Sequence, residues 1–183
     1  MTKVFIGGSR TIGRLNEDIR LRLDRIIEKS LPIAIGDANG ADRAVQQYLC
    51  DKRYGEVEVF CAGKKPRNNI GGWPLRQVGV DGSPRGFDFY AAKDRVMAEE
   101  ASVGLMIWDG KSLGTVMNAL RLIKQGKKVA MYVGAFGHFV DLEGVSDWDE
   151  FVANHAINLK PRLEHQARIE ERNSATRAEH RLI

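Results

Sequence analysis

Apolar residues in this chain come in short runs set between amphipathic stretches. The runs at 3–6, 31–35, 57–60, 103–108 and 128–133 have the length of buried strands. Between them the spacing turns helical. Ile19, Leu23, Ile26 and Ile27 recur through 16–29, which Pro32 stops, and Ala44, Val45, Tyr48 and Leu49 share one helical face. Ala91, Asp94, Met97, Ala98 and Ala101 lie near one face of 90–101, and 116–125 continues the pattern. Strand and helix alternate, which predicts an α/β fold: a three-layer sandwich on a mainly parallel five-stranded sheet.

The strands empty into glycine-rich turns: Gly7-Gly8-Ser9-Arg10-Thr11-Ile12-Gly13, then Gly36-Asp37-Ala38-Asn39-Gly40-Ala41-Asp42, then Asp109-Gly110-Lys111-Ser112-Leu113-Gly114-Thr115. Turns that follow parallel strands gather at the carboxyl edge of the sheet, where open α/β sheets bind ligands. The third turn runs into a helix, so free amides and the helix dipole would face a ligand, and an anion suits them best. Ser112 and Thr115 add hydroxyl donors there, and Arg10 could fork onto a phosphate. An ordinary capped helix and a solvated loop arginine account for the same residues. Asp42 sits where a carboxylate caps a helix; Asp37, at a strand end, is freer to face a ligand. Two fingerprints are excluded. Gly110-Lys111-Ser112 lacks the earlier P-loop glycine, since that position is Leu105, and no turn has the G-x-G-x-x-G spacing.

The segment 62–88 has six glycines, three prolines and little periodicity, and reads as a lid insert. Within it Trp73 lies among Lys64, Lys65, Arg67 and Arg76. It could stack on a base, or pin the loop to the core. Further on, 147–155 reads as a short helix capped by Ser146 or Asp147. From 158 to 183 charges of both signs dominate; Pro161 could start a solvated helix, and Leu159, Leu163, Ile169 and Leu182 are too sparse for a coiled coil. This extension fits a flexible tail or a subunit-contact arm equally well, so the main domain is taken as 1–157.

Composition narrows the classes. With 183 residues, 43% of them hydrophobic, and a net charge of +4, one domain with a mild preference for anions is expected. Nothing reaches membrane-spanning length, and no basic stripe with interleaved aromatics argues for nucleic acid. Cys50 and Cys61 offer no disulfide framework, which fits reduced thiols in a cytoplasm. His138, His155, His165 and His180 form no metal-ligand spacing, so neither metal nor cofactor is expected.

With the turns in this order, the chain resembles the SLOG superfamily of Rossmann-like nucleotide-binding proteins, particularly its YpsA-like branch. The matching pieces are Gly7-Gly8-Ser9-Arg10, the 36–42 turn, the Trp73 loop, Lys93-Asp94-Arg95-Val96-Met97-Ala98 and Ser112-Leu113-Gly114-Thr115. The resemblance implies a nucleotide or nucleotide-derived ligand at the carboxyl edge, and self-association into homo-oligomers. It implies one of two activities: hydrolysis of the N-glycosidic bond of a nucleoside 5′-monophosphate, as in the cytokinin-activating LOG enzymes, or sensing of a nucleotide signal of the ADP-ribose or cyclic-nucleotide type. DNA binding, known in another branch, is the weaker expectation. On this resemblance Ser9, Arg10, Gly114 and Thr115 hold phosphate, Trp73 and the 36–42 turn with Gly36 and Asp42 frame base and sugar, and Gly8, Asp109, Ser112 and Asn118 are further ligand-binding candidates. Asp94 or Asp37 would act at the glycosidic bond, with Lys93 neutralising charge. Two positions depart from the LOG pattern. Asn118 stands in place of its glutamate and Lys93-Asp94 in place of its Arg-Lys pair, and an amide cannot act as a carboxylate base. Glu99 and Glu100, on the same helix, read as a solvated or ion-paired face.

Overall fold

The structure is a computed structural model and describes residues 2–79 and 86–180. In chain order the elements are β1 (Val4–Gly8), α1 (Glu17–Glu28), β2 (Ile33–Gly36), α2 (Ala41–Asp51), β3 (Val57–Ala62), β4 (Leu75–Val78) and α3 (Phe87–Glu100). They continue as β5 (Val103–Trp108), α4 (Leu113–Lys124), β6 (Lys128–Val133), β7 (His138–Leu142), α5 (Val145–His155) and, after a short 3-10 turn at Ile157–Leu159, α6 (Lys160–His180). One sheet in the order β4-β3-β2-β1-β5-β6-β7 runs through the middle. Its strands pair in parallel except for the antiparallel β6–β7 edge.

Alternation along the central strands makes the three layers. Val4, Ile6, Leu105 and Ile107 face α1 and α2, while Phe5, Met106 and Trp108 face α3, α4 and α5. Both faces are buried, which is why these strands read as unbroken apolar runs. The predicted architecture is therefore present, with seven strands among the described residues where five were expected. β4 lies inside the segment read as a structureless lid. Its Leu-Arg-Gln-Val side chains are largely exposed at the sheet edge, so no apolar pattern marked it. β7 is a half-covered edge strand that follows β6 by a tight turn. Residues 80–85 of the expected lid, with Gly82 and Pro84, and residues 181–183, with Leu182, lie outside the described residues.

Helix ends follow local chemistry. Asn16 caps α1, its Oδ1 accepting the Ile19 amide at 3.0 Å. In α5 the cap is Gly144 and neither Ser146 nor Asp147; Asp147 accepts instead the Glu143 amide at 2.7 Å. The charged tail joins the fold: Leu163 is buried, and Glu170 on α6 pairs with Arg121 on α4. Among the described residues no helix is long and apolar enough to cross a membrane.

Candidate functional site

The carboxyl ends of β1, β2 and β5 open into a cavity of about 540 Å³, walled on the other sides by the starts of α3, α4 and α6. Two close approaches shape it. A Cβ on Gly8 would stand 2.5 Å from the Ala41 Cβ, so β1 can meet α2 only with glycine there. A Cβ on Gly36 would stand 2.4 Å from Asp42 Oδ2 and 2.7 Å from Lys93 Nζ. The missing side chain is what lets these two charges approach across the β2 end.

One end of the cavity lies against the start of α4. Leu113, Gly114 and Thr115 form the first turn of α4, and no side chain caps their amides. Asp109 organises the approach. Its Oδ1 accepts the Lys111 and Ser112 amides at 2.9 and 2.8 Å, and its Oδ2 accepts the Thr11 hydroxyl at 2.6 Å. Burial works against its charge, yet these hydrogen bonds prevail and hold the carboxyl below its ordinary range.

A chain of hydroxyls completes this end. The Asp109 amide donates to Ser9 Oγ (3.1 Å), Ser9 and Thr115 hydroxyls meet at 3.2 Å, and Thr115 Oγ1 donates to Ser112 Oγ (3.1 Å). Each hydroxyl has one proton, so Thr115 must accept from Ser9, and the Ser112 proton is left to point outward. Ser9 itself is fully buried and does not line the cavity. The expected phosphate contact from Ser9 is thereby corrected to a supporting role, because its hydroxyl is spent inside the protein.

The other end is a buried charge cluster. Lys93 Nζ donates to Asp94 Oδ1 at 2.7 Å, and Asn118 Nδ2 donates to Asp94 Oδ2 at 3.2 Å. Burial alone would neutralise both ions, but for Lys93 the neighbouring Asp94 and Asp42 prevail and raise its pKa. Asp94 likewise overcomes burial through Lys93, Arg121 and the Asn118 hydrogen bond, and its pKa is lowered. Asp42 goes the other way. Burial, with repulsion from Asp94 and Asp37, pushes its carboxyl up to about 6 against the pull of Lys93 and the Ala38 amide. Asp42 is thus no helix cap: its Oδ2 turns back to the Ala38 amide in the loop.

Two further expectations are corrected. Asp37 does not reach the cavity wall. Arg67 takes both its oxygens, with Nη2 on Oδ1 at 2.7 Å and Nε on Oδ2 at 3.1 Å, and these bonds lower its pKa in spite of burial. Trp73 is in the core beneath α1 and α2, its Nε1 donating to the Tyr54 carbonyl at 2.9 Å, and so cannot stack on a cavity ligand. Asn69 brackets its backbone on both sides. Glu100, by contrast, is ion-paired with Lys3 and Arg76, as read from the sequence.

Gly8, Arg10, Gly36, Asp42, Lys93, Asp94, Asp109, Ser112, Gly114, Thr115 and Asn118 do come together around the cavity. Sequence reasoning missed Thr11, Phe87, Tyr90 and Arg162. Phe87 and Tyr90 stand three residues apart at the start of α3, a spacing that signals a shared face. Tyr90 carries the Arg10 and Arg67 guanidiniums at 4.9 and 4.6 Å from its ring centre. Arg162 had no local signal, since only the docking of α6 brings it here.

Fold and site define an α/β protein with a cavity at the carboxyl edge of its sheet, with the start of α4 and Asp109 at one end and the Lys93, Asp94 and Asp42 cluster at the other. No family model, no curated protein and no solved structure matches the chain.

Proposed function

We propose that this cavity binds a nucleotide or nucleotide-derived ligand, phosphate against the first turn of α4 and sugar toward Asp94, and hydrolyses the N-glycosidic bond of a nucleoside 5′-monophosphate. What supports this reading is that an uncapped helix start and two carboxyls with opposite protonation tendencies share one cavity: Asp94 held ionised, Asp42 pushed up to about 6. In the reaction the C–N bond breaks with its electron pair leaving on the base, and a water oxygen bonds to the anomeric carbon. Asp94 stabilises the positive charge that develops on the sugar, Asp42 is the group able to pass a proton to the leaving base, and the attacking water gives up a proton that restores the Asp42 carboxyl. The Ser112 hydroxyl, the Gly114 and Thr115 amides and the Arg10 guanidinium hold the phosphate.

A second reading, a sensor that binds without turnover, is favoured by one observation: both oxygens of Asp94 are already engaged, by Lys93 and by Asn118. The test incubates the protein with ribo- and deoxyribonucleoside 5′-monophosphates, NAD and ADP-ribose, and follows free base by mass spectrometry. Release by the wild type that is lost in Asp94→Asn, with binding retained, supports the hydrolase; retention of a nucleotide without release supports the sensor. Ser112→Ala weakens nucleotide binding under both readings, by about tenfold, because it removes the one hydroxyl of that hydrogen-bonded chain whose proton is left for a ligand. Unchanged affinity would refute the phosphate site at α4.

A further inference from the structure

A line of polar contacts runs from the cavity into the C-terminal helix. Asn118 stands one turn into α4 with its side chain buried, and Arg121 follows it on the same face, also buried. An Nη1 proton of Arg121 goes to Asn118 Oδ1, while its Nε and Nη2 fork onto the two oxygens of Glu170 on α6, the Nε–Oε2 distance being 3.0 Å. Arg95 on α3 reaches the same carboxylate at 3.5 Å. Arginine only donates, so it fixes the Asn118 amide with its oxygen toward Arg121 and its NH2 toward Asp94.

On the hydrolase or sensor reading of Asp94, we infer that Glu170 and Arg121 are positioning residues for it: Glu170 anchors Arg121, Arg121 orients the Asn118 amide, and the amide holds Asp94 Oδ2 in place. α6 is then a working wall of the site. The contrast with its neighbour supports this. Lys124 and Glu171 also join α4 to α6, but in the open, and they connect to nothing in the cavity. A simple clamp between helices needs only the exposed pair, whereas the buried one is threaded through an amide that ends on the candidate carboxylate. Asp94 is also faced by Lys93 and, across it, by Asp42, so the relay shares control of that carboxylate.

The relay is tested in the full chain with Glu170→Gln, Arg121→Met and Arg121→Lys, and with Glu171→Gln as the control for helix docking. Two readouts need no turnover. Exchange of the Asn118 side-chain amide protons, slow in the wild type, speeds up in the first three variants and not in Glu171→Gln. The Asp94 carboxyl carbon titration moves to higher pH in Arg121→Met, which removes a cation that favours the charged form. Where wild-type base release is found, kcat falls by about tenfold to a hundredfold in Arg121→Lys with KM nearly unchanged, because a misaimed group costs rate more than binding. Arg121→Lys keeps the charge and the contact with α6, so it serves if Arg121→Met does not fold. Exchange unchanged in folded Arg121→Lys and Glu170→Gln would overturn the relay, whatever becomes of the hydrolase reading. Absent turnover with both readouts moving as stated overturns the hydrolase and keeps the relay.

Discussion

Replacing Asp42 with asparagine should make this protein more stable, and only above a definite pH. The carboxyl is 5% exposed and burial pushes it from its ordinary 3.8 to about 6. The folded chain therefore holds this proton more tightly than the unfolded chain does. Well below pH 3.8 both states are protonated and nothing is lost. As pH rises to about 6 the unfolded state releases its proton first, and stability falls. About two pH units of separation at about 1.4 kcal/mol each place the full loss near 3 kcal/mol by pH 7. Asp42→Asn mimics the protonated form: the amide oxygen can still accept the Ala38 N–H now received by Oδ2 at 3.1 Å, and no charge remains to be desolvated. Urea unfolding of both proteins between pH 3.5 and 7.5 measures the difference. It should be small below about pH 4, grow through pH 4 to 6, and level off at a midpoint gain of roughly 1 M urea for a slope of about 2–3 kcal/mol/M. Any packing cost of the amide adds a constant at every pH and leaves the curve's shape intact. A difference that is flat from pH 4 to 7, or that turns against the variant as pH rises, would refute the placement of a strained carboxyl beside Lys93 and Asp94.

Other outcomes follow from the same contacts. Gly36→Ala would put a methyl 2.4 Å from Asp42 Oδ2 and 2.7 Å from Lys93 Nζ. To withdraw, Asp42 must leave the Ala38 amide and Lys93 must leave Asp94, so denaturation should report a loss of about 1–3 kcal/mol, and a neutral result would mean the charges are not packed over β2. Trp73→Ala empties a core position and breaks the hydrogen bond to Tyr54. A cost of about 3–5 kcal/mol in unfolding is expected, with nucleotide affinity unchanged in the folded variant. If affinity collapsed while the fold held, the indole would belong to the ligand site after all.

Much of this architecture is written in local pattern. Parallel strands buried on both faces must be short apolar runs, and the helices that cross between them must carry one apolar side, so 3–6, 31–35, 57–60, 103–108 and 128–133 announce themselves and the turns after them fall at one edge. The α4 junction was legible for the same reason, since glycine, serine and threonine ahead of a helix leave amides free whatever surrounds them. Tertiary structure alone decided the rest. β4 joins the sheet through backbone pairing at an exposed edge, which demands no apolar side chains. Asp37 was lost to the site because Arg67, 30 residues on, folds back to claim both its oxygens. Asp42 and Asp94 look alike in the sequence and are driven apart by burial and by which cation each one meets. The charged stretch after 158 reads as a solvated helix, yet Leu163, Arg162 and Glu170 tie it to the core, the cavity and Arg121. Periodicity records which side of an element is buried; the partner of a buried charge depends on chain segments far away, and it is those pairings that built the candidate site.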